Sequence, residues 1–91
     1  MVKWSYESIE DLKCIYDYIA KDSKYYADKV FEEFLEKAEK LIDYPEMGRS
    51  VSEIKEGNFR ELIFYSYRLI YSVVKNDILI VTIVNSRKNF K

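Results

Sequence analysis

The sequence predicts an α+β fold: a two-layer sandwich of two N-terminal amphipathic helices on an antiparallel sheet, ordered β-α-α-β-β-β. Three observations predict it. Apolar residues recur at helical spacing in two consecutive stretches between 8 and 43. Three later stretches between 59 and 84 are β-branched and aromatic, with strand-like alternation or continuous apolar runs. Two glycines and one proline leave little chain for long loops, so the 91 residues fill one domain spanning 1–91.

The elements follow in order. "VKWSY" (2–6) is a short first strand, rich in β-branched and aromatic side chains. Ser5 or Ser8 caps a helix over 8–21, in which Ile9, Leu12, Ile15, Tyr16 and Ile19 share one face. Ser23 caps a second helix with a cleaner stripe: Ala27, Val30, Phe31, Phe34, Leu35, Ala38, Leu41 and Ile42. By phase, Phe31 and Phe34 belong to the core. Its other face is charged, as a solvated helix face should be. "YPEMGR" (44–49) ends the helix, because Pro45 cannot continue it and Gly48 permits a tight turn. Residues 50–58 read as a polar connection. "FRELIFY" (59–65) and "YRLIYSVVK" (67–75) are strands around a turn at Ser66, and Asn76-Asp77 has hairpin-turn chemistry. "ILIVTIV" (78–84) is apolar on both parities, so both of its faces should be covered and the strand should be central.

Composition excludes much chemistry. The chain has no histidine, which removes Ser-His-Asp triads, Cys-His pairs and most zinc sites. No metal or cofactor is expected. Any catalysis must use Lys, Arg, Tyr or a carboxylate. One cysteine, Cys14, makes no internal disulfide and reads as a boundary residue of the first helix. No apolar run approaches the roughly 20 residues of a membrane span, and no leader pattern opens the chain, so a soluble cytoplasmic protein is expected.

The net charge of −1 conceals an asymmetry. Residues 7–43 hold 11 acids and 6 lysines, a net of −5, while residues 44–91 hold 5 acids and 8 bases, a net of +3. All four arginines, Arg49, Arg60, Arg68 and Arg87, lie in the second half. If the hairpin turns about Ser66, opposite positions sum to about 132, and Arg60 and Arg68 project from one sheet face. With Arg49 from the loop and Arg87 and Lys88 after the last strand, they form a candidate basic patch on the helix-free face. Guanidinium suits it, because it holds carboxylate or phosphate bidentately and stays charged when partly buried. Tyr65, Tyr67 and Tyr71 cluster with these arginines. Packing or a protein partner is their favoured role, ahead of base stacking or proton transfer.

Four segments in order, "DLKCIYDYIAKDS" (11–23), "YPEMGRSVSE" (44–53), "FRELIFYSYRLIYSVV" (59–74) and "ILIVTIVNSRKNF" (78–90), resemble the toxins of the RelE/ParE superfamily. The resemblance implies the toxin of a type II toxin–antitoxin pair, associated with plasmid stabilisation and growth inhibition and neutralised by a cognate antitoxin. RelE-like members cut messenger RNA on the ribosome with arginines, lysines and a C-terminal tyrosine. On that branch Arg68 and Arg87 are the catalytic positions. The tyrosine has no counterpart, since Phe90 stands near its place without the hydroxyl a general base needs. ParE-like members are associated with poisoning DNA gyrase. The long paired helices and "PEMGR" look more ParE-like, which makes gyrase the expected target. A RelE-like ribosome-dependent endoribonuclease is the alternative, and a non-toxic antitoxin-binding module is a third reading. On the favoured branch Arg49, Arg60, Tyr65, Tyr67, Tyr71, Lys88 and Phe90 contact the target or the antitoxin. Arg68→Ala and Arg87→Ala are expected to weaken toxicity without unfolding the domain.

Overall fold

Ser5 determines where the first helix begins. Its backbone is extended (φ −66°, ψ 160°), and its Oγ accepts the Ser8 amide at 3.0 Å while donating to the Val81 carbonyl at 2.7 Å. One hydroxyl thus satisfies an orphan amide of the helix terminus and ties that terminus to the sheet. The structure, a computed structural model, describes residues 1–51 and 59–85. Strand β1 (Val2–Trp4) leads into helix α1 (Tyr6–Ala20). Ser23 caps helix α2 (Lys24–Asp43) in the same way, accepting from the Tyr26 amide at 3.2 Å. Four strands follow: β2 (Arg49–Ser50), β3 (Phe59–Phe64), β4 (Tyr67–Val74) and β5 (Asp77–Asn85). No helix among the described residues is long and apolar enough to cross a membrane.

The sheet has five strands in the order β1-β5-β4-β3-β2, with both helices packed on one face. It is mixed, not wholly antiparallel as the sequence suggested. β1 runs parallel to β5, with Val2 opposite Ile78 and Trp4 opposite Ile80. Strand direction leaves no trace in a three-residue segment, because the pleat alternates identically in either sense. β2 was hidden for a related reason: two residues carry no periodicity. The last three strands fall close to their predicted places. Their turns are Tyr65-Ser66 and Lys75-Asn76, one residue earlier than the Asn76-Asp77 turn expected. Tyr65 and Lys75 take the left-handed backbone, with φ 55° and 57°, which a two-residue hairpin turn requires at its first position.

β5 resolves its two-sided apolar pattern with a bulge. Adjacent Ile70 and Tyr71 of β4 face Thr82 and Ile80, so Val81 is an extra residue. The bulge shifts the inward parity, which puts Ile78, Ile80 and then Ile83 in the core. β1 pairs only as far as Ile80. Beyond it, Asp11 of α1 accepts the Ile83 amide at 3.0 Å and the Thr82 hydroxyl at 2.6 Å. A helix carboxylate thereby closes a strand edge that would otherwise carry an unpaired amide.

The core joins Leu12, Val30, Phe34, Ala38 and Leu41 of the helices to Leu69, Tyr71, Ile78, Ile80 and Ile83 of the sheet. Phe34 is fully buried and meets Phe64 at a ring separation of 4.6 Å. Each such large side chain contributes about 1.5–3 kcal/mol through burial. Phe31, assigned to the core by phase, is 38% exposed, as is Leu35. The apolar stripe of α2 is wider than the sheet can cover.

Candidate functional site

The hairpin register decides what the arginines do. Phe64 faces Tyr67 and Ile63 faces Arg68, so opposite positions are one residue out from those expected. A two-residue turn has no central residue about which to pair, and a slip of one reverses the face of a side chain. Arg60 therefore faces Tyr71 on the helix side, while Arg68 shares the other face with Glu61. The two arginines do not converge.

Arg68 is buried and donates from Nε to Glu61 Oε1 at 2.6 Å, with its Nη2 at 2.5 Å. Glu61 is itself 5% exposed. Its second oxygen accepts from Arg49 Nε at 2.7 Å. Strand pairing positions this contact, since Arg49 of β2 lies opposite Glu61 of β3. The helix-free face is thus closed around its charges, with Ile70 and Ser72 also buried beside them. Among the described residues it is not the open basic wall that the sequence suggested. Charged groups survive burial there because a carboxylate and two guanidiniums satisfy one another.

Arg60 is held differently. Its Nη1 donates to the Gly48 carbonyl at 2.7 Å. The Gly48 amide donates to the Tyr71 hydroxyl at 2.9 Å, and that hydroxyl donates to the Pro45 carbonyl at 2.8 Å. Two side chains from adjacent strands thereby pin the loop after α2. Burial pushes the Tyr71 phenol up from its ordinary pKa, more strongly than the Gly48 amide lowers it. Tyr71 is a core side chain with a polar end, as the packing reading of the tyrosines expected. Tyr67 packs on Phe34 at 5.9 Å, and burial raises its phenol. Tyr65 is exposed at the turn and donates to Glu33 Oε1 at 2.5 Å, which raises its phenol. Arg87, Lys88 and Phe90 lie outside the described residues. Among the described residues no cluster of metal-ligating side chains occurs.

An apolar concavity lies elsewhere. A groove of about 730 Å³ runs along the helices, lined mainly by Trp4, Ile9, Leu12, Tyr16, Phe31 and Leu35. The sequence reading missed it, although a signal was present: α2 carries more apolar positions than one packing seam uses. At the groove wall the Tyr16 hydroxyl donates to Asp28 Oδ1 at 2.6 Å, and Lys24 Nζ lies 3.3 Å from Oδ2. This network joins α1 to α2. The Tyr16 hydroxyl and then Lys24 hold the Asp28 carboxyl below its ordinary pKa. The Asp28 carboxylate in turn raises the Tyr16 phenol above its own. A lowered acid adds stability above the ordinary carboxylate pKa and loses it as pH falls through the folded value. A raised phenol adds stability below about pH 10 and loses it as pH rises through its folded value. The melting-temperature difference between wild type and Asp28→Ala is therefore expected to be greatest between about pH 5 and 9 and to shrink on either side. A difference that persists unchanged at pH 2 would mean the network contributes nothing.

Residues 2–90 match the family model of the ParE toxin of the type II toxin-antitoxin system parDE. A search of curated proteins found no match. Among solved structures the fold is similar to a chain of the chromosomal ParDE toxin-antitoxin system of P. aeruginosa, with a TM-score of 0.72. That pair shares 22% identity, over 92% of each chain. It is also similar to a chain of the intact E. coli RelBE toxin-antitoxin complex, with a TM-score of 0.68 at 12% identity, covering 97% of this chain and 98% of that one. At these identities the likeness is one of fold.

Proposed function

We propose, from the premise that this chain belongs to the ParE toxin family, that it is the toxin of a type II pair, neutralised by a cognate antitoxin and directed at DNA gyrase. The family match across residues 2–90 carries this reading. The groove supplies its physical counterpart. Phe31 and Leu35 are each 38% exposed and Ile9 is 42% exposed, side by side along two helices. An apolar helix face from a partner would bury them, as in other helix-in-groove complexes. The engagement of the arginines favours the gyrase branch over messenger RNA cleavage. Arg68, the catalytic position on the RelE-like reading, is buried against Glu61. It would have to leave a carboxylate to meet a phosphate, at a cost of several kcal/mol.

Inducible expression with and without the antitoxin gene tests the reading. Growth arrest relieved by the antitoxin, with loss of DNA supercoiling and intact transcripts, is expected. Codon-positioned transcript ends would transfer the assignment to a ribonuclease, and normal growth at verified soluble expression would leave only the binding module. Phe31→Asp is expected to weaken antitoxin capture about tenfold or more, because it places a charge in an apolar contact. The side chain is half-exposed, so the fold should survive, which circular dichroism would check.

A further inference from the structure

We infer that Arg49 is the cation with which this toxin grips its protein target, and that the buried Glu61–Arg68 pair exists to hold it in place. The inference rests on the toxin reading above. Among the described residues two guanidiniums share one carboxylate, and Arg49 is the one displayed to solvent: its side chain is 72% exposed while that of Arg68 is 10% exposed. Only Nε of Arg49 is taken by Glu61. No second acid meets this guanidinium among the described residues, so its two terminal nitrogens face solvent with their donors available.

The backbone beneath it is equally constrained. Gly48, the preceding residue, is bonded through its amide to Tyr71 and through its carbonyl to Arg60. An exposed arginine normally loses much rotamer freedom when it binds. Here the loss has largely been incurred on folding, so a carboxylate that docks against Arg49 gains more of the contact's energy. Ile63, two residues beyond Glu61 on the same strand parity, is 45% exposed. A guanidinium beside an exposed aliphatic side chain has the composition of a protein-binding hot spot. Nucleic-acid surfaces place many cations along a phosphate track, whereas among the described residues Arg60 and Arg68 are engaged within the fold. The matching partner segment carries an Asp or Glu next to an apolar residue.

The location separates this contact from the antitoxin groove. The groove includes Trp4 of β1, and Arg49 lies on β2, at the opposite edge of the five-strand sheet. Four strand spacings, about 19 Å, divide the two edges.

The test uses the full chain in cells, with the antitoxin under separate control, and the variants Arg49→Ala, Arg49→Glu and Arg49→Lys. The wild type should arrest growth. Arg49→Glu should relieve toxicity at least about thirtyfold in colony counts, Arg49→Ala less, and Arg49→Lys least. All three should still capture the antitoxin. Arg49→Lys should melt close to wild type. Arg49→Ala and Arg49→Glu leave the second oxygen of buried Glu61 without its partner and should melt lower, so toxicity is compared at matched levels of soluble, antitoxin-competent protein. Full toxicity of Arg49→Glu would overturn the inference. So would loss of antitoxin capture in step with toxicity, which would assign Arg49 to the antitoxin face. Salt-dependent binding of a short DNA duplex by the purified chain, abolished by Arg49→Glu, would replace the protein partner with a phosphate backbone and overturn it too. A wild type that leaves growth unaffected overturns the toxin reading, and this inference falls with it.

Discussion

Arg68→Ala is expected to destabilise the domain by about 3–5 kcal/mol, the usual cost of removing one partner from a buried ion pair. Glu61 stays 95% enclosed by its strand position, and would keep only the partly solvated Arg49 at its second oxygen. A domain of this length has a total stability of roughly 5–10 kcal/mol, so the variant approaches the point of unfolding at growth temperature. The urea midpoint should fall with little change in slope. The sequence led to the expectation that this substitution weakens toxicity while sparing the fold; the buried pair leads to the opposite expectation for the fold. Lost toxicity in Arg68→Ala is a stability effect and says nothing about catalysis. The double variant Arg68→Leu, Glu61→Leu separates the two causes. It removes both charges of this pair together and should recover a large part of the lost stability. No recovery would show that the cost lies in packing and not in the unpaired charge.

Gly48→Ala is expected to cost about 3 kcal/mol, although it adds a single methyl group. A Cβ at this position would lie 2.6 Å from the Glu61 carbonyl oxygen, 2.7 Å from the Tyr71 hydroxyl and 2.8 Å from Tyr71 Cε1. The first is backbone of β3 and the other two belong to Tyr71, which is fully buried, so neither neighbour can swing aside. The backbone must move instead. That movement would lengthen the amide bond to Tyr71 and the carbonyl bond to Arg60 together. Thermal melts of Gly48→Ala beside a Tyr71→Phe variant test the account. Tyr71→Phe removes the hydroxyl but keeps the ring, so it should be the milder of the two. If Gly48→Ala melts within about 2 °C of wild type, the loop is not pinned in this way.

These two sites show how sequence and structure divided the information. Turn chemistry marked Gly48, and alternation put Glu61 in a strand. Neither observation joined them. Gly48 and Tyr71 are 23 residues apart, and Arg68 reaches a carboxylate seven residues earlier only because the hairpin folds back at Tyr65-Ser66. A register error of one residue was enough to put Arg60 and Arg68 on the same face in the sequence reading. The groove was missed for a different reason. Helical phase identifies an apolar stripe but does not say how much of it the sheet covers, so Phe31 read as core.

What the sequence determined by itself was local and periodic: two capped amphipathic helices, three strands with their turns, the absence of imidazole chemistry, and a family likeness carried by motifs in order. Tertiary structure alone decided pairing: the parallel first strand, the bulge at Val81, the faces of Arg60 and Arg68, and which of the two guanidiniums on Glu61 remains exposed. The division has a physical origin. Propensity and periodicity act between neighbours along the chain, whereas the burial of a charge depends on groups from distant segments meeting within hydrogen-bonding distance.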